Sequence, residues 1–186
     1  MTLFKLEQHP AAYFADFVLY PVAIVAGTAL LILRQPAGPA WILPLAAVLG
    51  FLAWSLVEYA MHRFVFHGLQ PFKRWHEEHH RRPCALIGSS TPVSMAAFAV
   101  LVFLPLSAAA GPQPALAATL GMGAGYLLYV VVHHASHHWK APEGSWMRAR
   151  KRDHARHHRP GAEGWYGVTT PFWDHVFRTD ASVRRD

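Results

Sequence analysis

Twelve of the 14 histidines in this chain fall into four groups: His62 and His67; His76, His79 and His80; His133, His134, His137 and His138; and His154, His157 and His158. Residues three and four apart share one face of a helix, so such spacings can aim imidazoles at a common point. His76/His79/His80 and His154/His157/His158 repeat one i, i+3, i+4 pattern. The two triplets and a pair from each remaining group supply ten candidate ligands. One ion cannot use that many, so two metal ions of about four to six ligands each are expected. Imidazole suits zinc, copper, iron and nickel, and the lone Cys84 with few carboxylates disfavours iron–sulfur clusters, magnesium and calcium. Structural zinc needs fewer groups. A paired iron site that activates dioxygen beside a lipid accounts for the ligand number and for the apolar segments that flank it. Lone His9 and His175 read as surface or packing residues, and His134 and His138 rank below His133 and His137, which already form an i, i+4 pair.

Four charge-free stretches must position these groups: Phe17 to Leu33, Ala40 to Val57, Val93 to Ala110 and Ala115 to Val132. Each reaches the short end of the roughly 17–25 residues that cross a bilayer as helix. Arg34-Gln-Pro-Ala-Gly-Pro39 and Gly111-Pro-Gln-Pro114 read as tight turns, giving two hairpins. The expected fold is all-α, an integral membrane protein of four transmembrane helices capped by a histidine-rich helical region, with residues 1–186 as a single membrane-embedded domain. With 53% of residues hydrophobic and 15% charged, disorder and a simple water-soluble fold are both excluded.

Only Arg34 of the 17 lysines and arginines lies in an inter-helix turn. Basic segments favour the cytoplasm, so both termini and the metal site are expected on that side. The run Arg148, Arg150, Lys151, Arg152, Arg156 and Arg159 is expected to meet anionic headgroups rather than nucleic acid. Glu7 and Asp16 precede the first apolar run without a processing site, so no cleavable signal peptide is expected. The apolar runs contain no His, Asp or Glu, which disfavours a transporter with ligands at mid-membrane.

The chain resembles the fatty acid hydroxylase and sterol desaturase superfamily of membrane enzymes with histidine-coordinated dimetal centres. The resemblance rests on Glu58-Tyr-Ala-Met-His62-Arg-Phe-Val-Phe-His67, His76-Glu-Glu-His79-His80, His133-His-Ala-Ser-His137-His138, His154-Ala-Arg-His157-His158 and the tail Gly167-Val-Thr-Thr-Pro-Phe-Trp173-Asp174-His-Val-Phe177. It implies His62, His67, His76, His79, His80, His133, His137, His154, His157 and His158 as ligands of two irons, with dioxygen as co-substrate; divalent affinity alone does not choose iron, so zinc can substitute in purified protein. The implied reaction is hydroxylation of a lipid C–H bond, most readily on a fatty acyl chain. Sterol desaturase or carotenoid hydroxylase activity is the alternative, and a non-redox membrane metal-binding or transport protein the alternative of another class.

The Trp173-Asp174 tail favours the fatty acid or sterol branch over carotenoid hydroxylases, although His175 and Arg178 replace residues usually aromatic and small. The segment between His67 and His76 is shorter than in eukaryotic fatty acid 2-hydroxylases. No cytochrome b5-like domain precedes the hairpins, so a separate electron donor of the ferredoxin or cytochrome b5 type is expected. Glu58, one helical turn before His62, either accepts that ring's proton or pairs with an arginine; Asp174 is a similar candidate toward a tail histidine. Trp54, Tyr59, Phe64, Phe66, Trp165, Tyr166 and Trp173 read as interfacial anchors or packing, some of them lining an acyl channel.

Overall fold

The computed structural model describes residues 6–34, 38–39 and 41–180, so part of the expected Arg34–Pro39 turn and both chain ends lie outside the described residues. Among the described residues the α-helices are α1 (Pro10–Tyr13), α2 (Asp16–Leu33), α3 (Ile42–Ala60), α4 (Phe72–Arg81), α5 (Thr91–Ala97), α6 (Leu104–Ala110), α7 (Pro112–His138), α8 (Trp146–His157) and α9 (Phe172–Val176). A π-helical segment, Met61–Phe66, continues α3, and another, Phe98–Phe103, joins α5 to α6. Among the described residues, four continuous helices are long and apolar enough to cross a membrane: Pro10–Leu33, Ile42–Phe66, Thr91–Ala110 and Pro112–His138. The second and fourth outrun the charge-free stretches and carry histidines beyond them. The second turn is tighter than its sequence suggests: Gly111 alone separates α6 from α7, at φ 86°, and Pro112 starts the next helix.

Contacts divide the chain into two compact units, one formed by the residues up to Trp54 with Gly88–Leu127, the other by Ser55–Ile87 with the residues from Leu128 onward. The first unit is built from the apolar helices. Large side chains such as Val25, Ile32, Val48, Val100 and Leu101 stay exposed on it, as a lipid-facing surface requires. In this unit α3 meets α7 backbone to backbone: a Cβ on Gly50 would overlap the Ala118 carbonyl oxygen, and one on Gly121 that of Ala47. Small residues permit the close approach that packs helices in lipid, where apolar burial alone gives little drive. Asp16 is in the same unit, buried in the first turn of α2, where it accepts the Tyr126 hydroxyl at 2.6 Å.

The second unit carries the polar chemistry. Ser145 caps α8, its hydroxyl accepting the Arg148 amide at 3.1 Å. One side of α8 buries Arg150, Asp153, His154 and His157, and the other exposes Arg148 and Arg152. Glu78 pairs with Arg81 near the end of α4.

Candidate metal centre

Within the second unit, ten imidazoles gather into two groups of five. His62, His67, His76, His80 and His157 form the first; His79, His133, His137, His154 and His158 form the second. In each, one nitrogen per residue lies within 4.8 Å of all the others.

Helix geometry explains the sorting. At about 100° per residue, positions i and i+4 differ by about 40°, whereas i+3 and i+4 diverge by about 100°. Each triplet therefore straddles both groups instead of aiming at one point: α4 gives His76 and His80 to the first and His79 to the second, while α8 gives His157 to the first and His154 and His158 to the second. On α7, His133 and His137 are a further i, i+4 pair.

His62 and His67 are five apart, about 140° around an α-helix. The π-helical turn brings them together, its i→i+5 bond running from the His67 amide to the His62 carbonyl at 3.2 Å. A histidine pair at this spacing at the end of an apolar helix is the only sequence trace of that turn.

Facing ring nitrogens are close: His62 and His76 at 3.0 Å, His76 and His80 at 3.1 Å, His67 and His157 at 3.1 Å in the first group; His79 and His133 at 3.0 Å, His137 and His154 at 2.8 Å in the second. Ligands about 2.1 Å from one ion are about 3.0 Å apart at right angles and about 3.4 Å apart at the tetrahedral angle. Five donors in each group exceed the four of a closed tetrahedral zinc site, and their spacing is one that a single ion can span.

Burial holds the imidazoles outside the membrane helices in the neutral form that binds metal. It pushes His67 down to about 4, with His80 and Lys73 adding to the effect, and His79 down to about 3, with His137 and His80 adding. His76, His80, His154, His157 and His158 are lowered for the same leading reason.

The loop 164–170 straps the first group. The Gly164 carbonyl accepts the Nδ1 proton of His157 at 2.8 Å, and the Tyr166 carbonyl that of His62 at 2.6 Å. Both bonds fix the tautomer that leaves the Nε2 lone pair turned into the group. In the second group the Nδ1 atoms of His79, His154 and His158 are buried without a hydrogen-bond partner.

Two buried carboxylates hold the strap. Glu58 accepts the Val168 amide at 2.7 Å, the Thr169 amide at 2.9 Å and the Thr169 hydroxyl at 2.6 Å. Asp174 accepts the amides of Tyr166 at 2.8 Å and Gly167 at 2.7 Å, and the Thr179 hydroxyl at 2.7 Å. Glu58 thus reaches neither the His62 ring nor an arginine, and Asp174 no histidine ring; both grip backbone. Burial raises Asp174 despite the donors that favour its charged form. Gly167 leaves the Asp174 carboxylate its room, since a Cβ there would stand 2.8 Å from Oδ2. Trp173 anchors the segment by donating to the Ser55 hydroxyl at 3.0 Å, and Tyr59 stacks on Phe177.

His134 and His138 stack on each other with ring centroids 4.3 Å apart and stand outside both groups. His9 caps α1, and His175 pairs with Asp180 at 2.7 Å.

A family model for fatty acid hydroxylase matches residues 47–179, a span that holds every one of the ten histidines, Glu58 and Asp174. The chain belongs to the fatty acid hydroxylase family. Fatty acid 2-hydroxylase of Rattus norvegicus is 34% identical over 146 residues, covering 71% of this chain and 38% of the rat protein. Dihydroceramide fatty acyl 2-hydroxylase FAH2 of Arabidopsis thaliana is 33% identical over 149 residues, covering 75% of this chain and 62% of that relative. This chain thus spans well under two thirds of the rat relative's length. A solved structure titled full length scs7p, with only its hydroxylase domain visible, shares the fold at a TM-score of 0.72 and 23% identity, covering 94% of this chain and 67% of that one. Family membership and four apolar helices of bilayer length make the chain an integral membrane protein.

Proposed function

We propose that the protein hydroxylates a C–H bond on the acyl chain of a membrane lipid, using dioxygen and two iron ions held by the ten histidines. The observation that carries this reading is the gathering of ten imidazoles into two groups of five. The names of the relatives, fatty acid and dihydroceramide fatty acyl 2-hydroxylases, support the substrate class.

His62, His67, His76, His80 and His157 would hold one ion, and His79, His133, His137, His154 and His158 the other. Bound there, iron supplies dioxygen activation and oxidation of the C–H bond. The chain's own part is placement. The i, i+4 pairs on α4, α7 and α8 and the π-turn pair converge the ligands, and the Gly164 and Tyr166 carbonyls fix two rings. Glu58 and Asp174 keep those carbonyls in position, and burial excludes the protons that would compete with metal. Zinc could fill the same ligand set without supporting the reaction.

The basic segments at the histidine ends of the apolar helices support a cytoplasmic metal site and termini. Because α3 and α7 each contribute residues to both compact units, we treat the chain as one functional domain. Electrons would come from a separate donor of the ferredoxin or cytochrome b5 type.

Comparative lipid mass spectrometry of cells with and without the intact gene tests the reading. Loss of a hydroxylated acyl lipid is expected. A change confined to sterols or carotenoids would reject the acyl substrate, and unchanged lipids with altered metal uptake would support a transporter instead.

A further inference from the structure

We propose that the outer face of α8 and the turn that follows it dock an acidic, soluble one-electron carrier, and that electrons enter beside Trp165. The proposal rests on the hydroxylase reading: turning R–H and dioxygen into R–OH and water takes two electrons and two protons, so the reduced carrier must be oxidised twice, giving one electron at each encounter.

The helix is two-faced. His154 and His157 are buried on its inner side, while Arg148, Arg152 and, just beyond its end, Arg159 are exposed. Side-chain exposure is 65% for Arg152 and 39% for Arg156. Residues 146–166 hold six lysines and arginines against two acids, Asp153 and Glu163. Asp153 is buried and already bound by Arg150 at 2.6 Å and Arg156 at 3.1 Å, with Arg152 at 4.0 Å, which leaves Glu163 as the exposed acid of the segment. A cationic face of this kind selects and steers an anionic partner.

A short connection leads inward from that face. Arg156 lies 4.8 Å from the centroid of the half-buried Trp165 ring. Trp165 is covalently joined to Gly164, whose carbonyl accepts the His157 proton at 2.8 Å. One peptide unit and one hydrogen bond therefore separate an aromatic ring at the cationic face from a histidine of the first group. The backbone of Trp165 is held at φ 56°, a conformation costly for a bulky side chain, with its amide donating to the Thr179 carbonyl at 2.9 Å. The strap thus keeps the indole in place against a local backbone preference.

A lipid surface is the competing occupant of a basic helix. Interfacial helices pair their cations with exposed aromatic or aliphatic anchors. Trp139 and Trp146 fit that role near the start of α8, but between Trp146 and Phe172 no large hydrophobic side chain is exposed. The half of the face around Arg152, Arg156 and Arg159 therefore suits a protein partner.

The test uses the full chain in detergent micelles, with an acidic plant-type [2Fe–2S] ferredoxin as the probe. Affinity is measured at low and high salt, on metal-loaded and metal-free protein. The double variant Arg152→Glu with Arg159→Glu is expected to weaken binding at least tenfold at low salt and to flatten its salt dependence, with metal content and thermal unfolding unchanged. Trp165→Ala is expected to slow reduction of the bound metal at saturating ferredoxin, and Trp165→Phe to restore much of that rate. Unchanged ferredoxin affinity in the double variant, or a loss confined to vesicles rich in phosphatidylserine, would overturn the proposal. Docking is read without turnover, so failure to hydroxylate lipid with dithionite as reductant would overturn the hydroxylase reading separately.

Discussion

His157 donates its Nδ1 proton to the carbonyl of Gly164 at 2.8 Å, and two residues further along the same strap Tyr166 takes the proton of His62 at 2.6 Å. Both histidines belong to the first group of five, whereas in the second the Nδ1 atoms of His79, His154 and His158 are buried without a hydrogen-bond partner. The two groups of five are therefore unequal: one is braced by backbone carbonyls that two carboxylates hold, and the other by helix geometry. Outer contacts of this kind typically change metal affinity by about 10–100-fold.

Asp174→Ala removes the acceptor for two strap amides and the Thr179 hydroxyl. The first group is then expected to lose its ion before the second, so iron per chain falls toward half of the wild-type value. Metal analysis after dialysis, with Mössbauer spectra to tell the positions apart, reads this directly; equal loss from both would contradict a one-sided brace.

Glu58→Ala leaves the Val168 and Thr169 amides and the Thr169 hydroxyl without their acceptor in a buried place. At about 1–3 kcal/mol for each unsatisfied group, the loss is on the order of 3 kcal/mol or more. Glu58→Gln, which keeps one acceptor oxygen, is expected to recover part of it. Thermal unfolding in micelles compares the two variants, and equal melting of Glu58→Ala and wild type would deny the strap its anchor.

Acid is expected to destabilise the metal-free protein. His67 and His79 are lowered in the fold to about 4 and about 3, from 6.5 when free, so the unfolded chain binds protons first as pH falls. Their contribution is complete above about 6.5 and is lost progressively down to about 3. Denaturant midpoints for the metal-free chain should therefore drop between pH 7.5 and pH 5, and bound metal should blunt the drop. A midpoint independent of pH over that window would show that these rings are not held neutral.

Gly121→Ala places a methyl group against the Ala47 carbonyl, where α7 presses on α3 backbone to backbone. Overpacking of this kind costs about 1–3 kcal/mol. Gly111→Ala meets no neighbouring atom and is costly only through its φ of 86°. Melting curves are expected to show the larger loss for Gly121→Ala.

The histidine spacings on α4, α7 and α8 could be read from the chain because a helix translates spacing directly into direction. Their sorting was the harder part: aiming His76, His79 and His80 at one point overlooks the 100° between neighbours that sends His79 and His80 to different groups. The His62–His67 pair depends on a π-turn, which leaves no mark in local preference beyond the five-residue interval itself. In sequence Glu58 reads as a partner of the His62 ring or of an arginine and Asp174 as one of a tail histidine, yet their partners are strap amides and threonine hydroxyls. For Glu58 these lie 110 and 111 residues away, a separation that local pattern does not span. Asp16 precedes the first apolar run in the sequence, and nothing local marks its partner: Tyr126, 110 residues on, donates to it inside the first long helix.

Isotope labelling tests the central claim most directly. The purified, iron-loaded protein in lipid, given a reductant and ¹⁸O₂, should convert an acyl lipid to a hydroxylated product that carries one ¹⁸O atom, and the double variant His79→Ala with His157→Ala should form none. Product whose oxygen comes from water, or full activity in iron-free protein, would contradict a dioxygen-dependent hydroxylase built on these histidines.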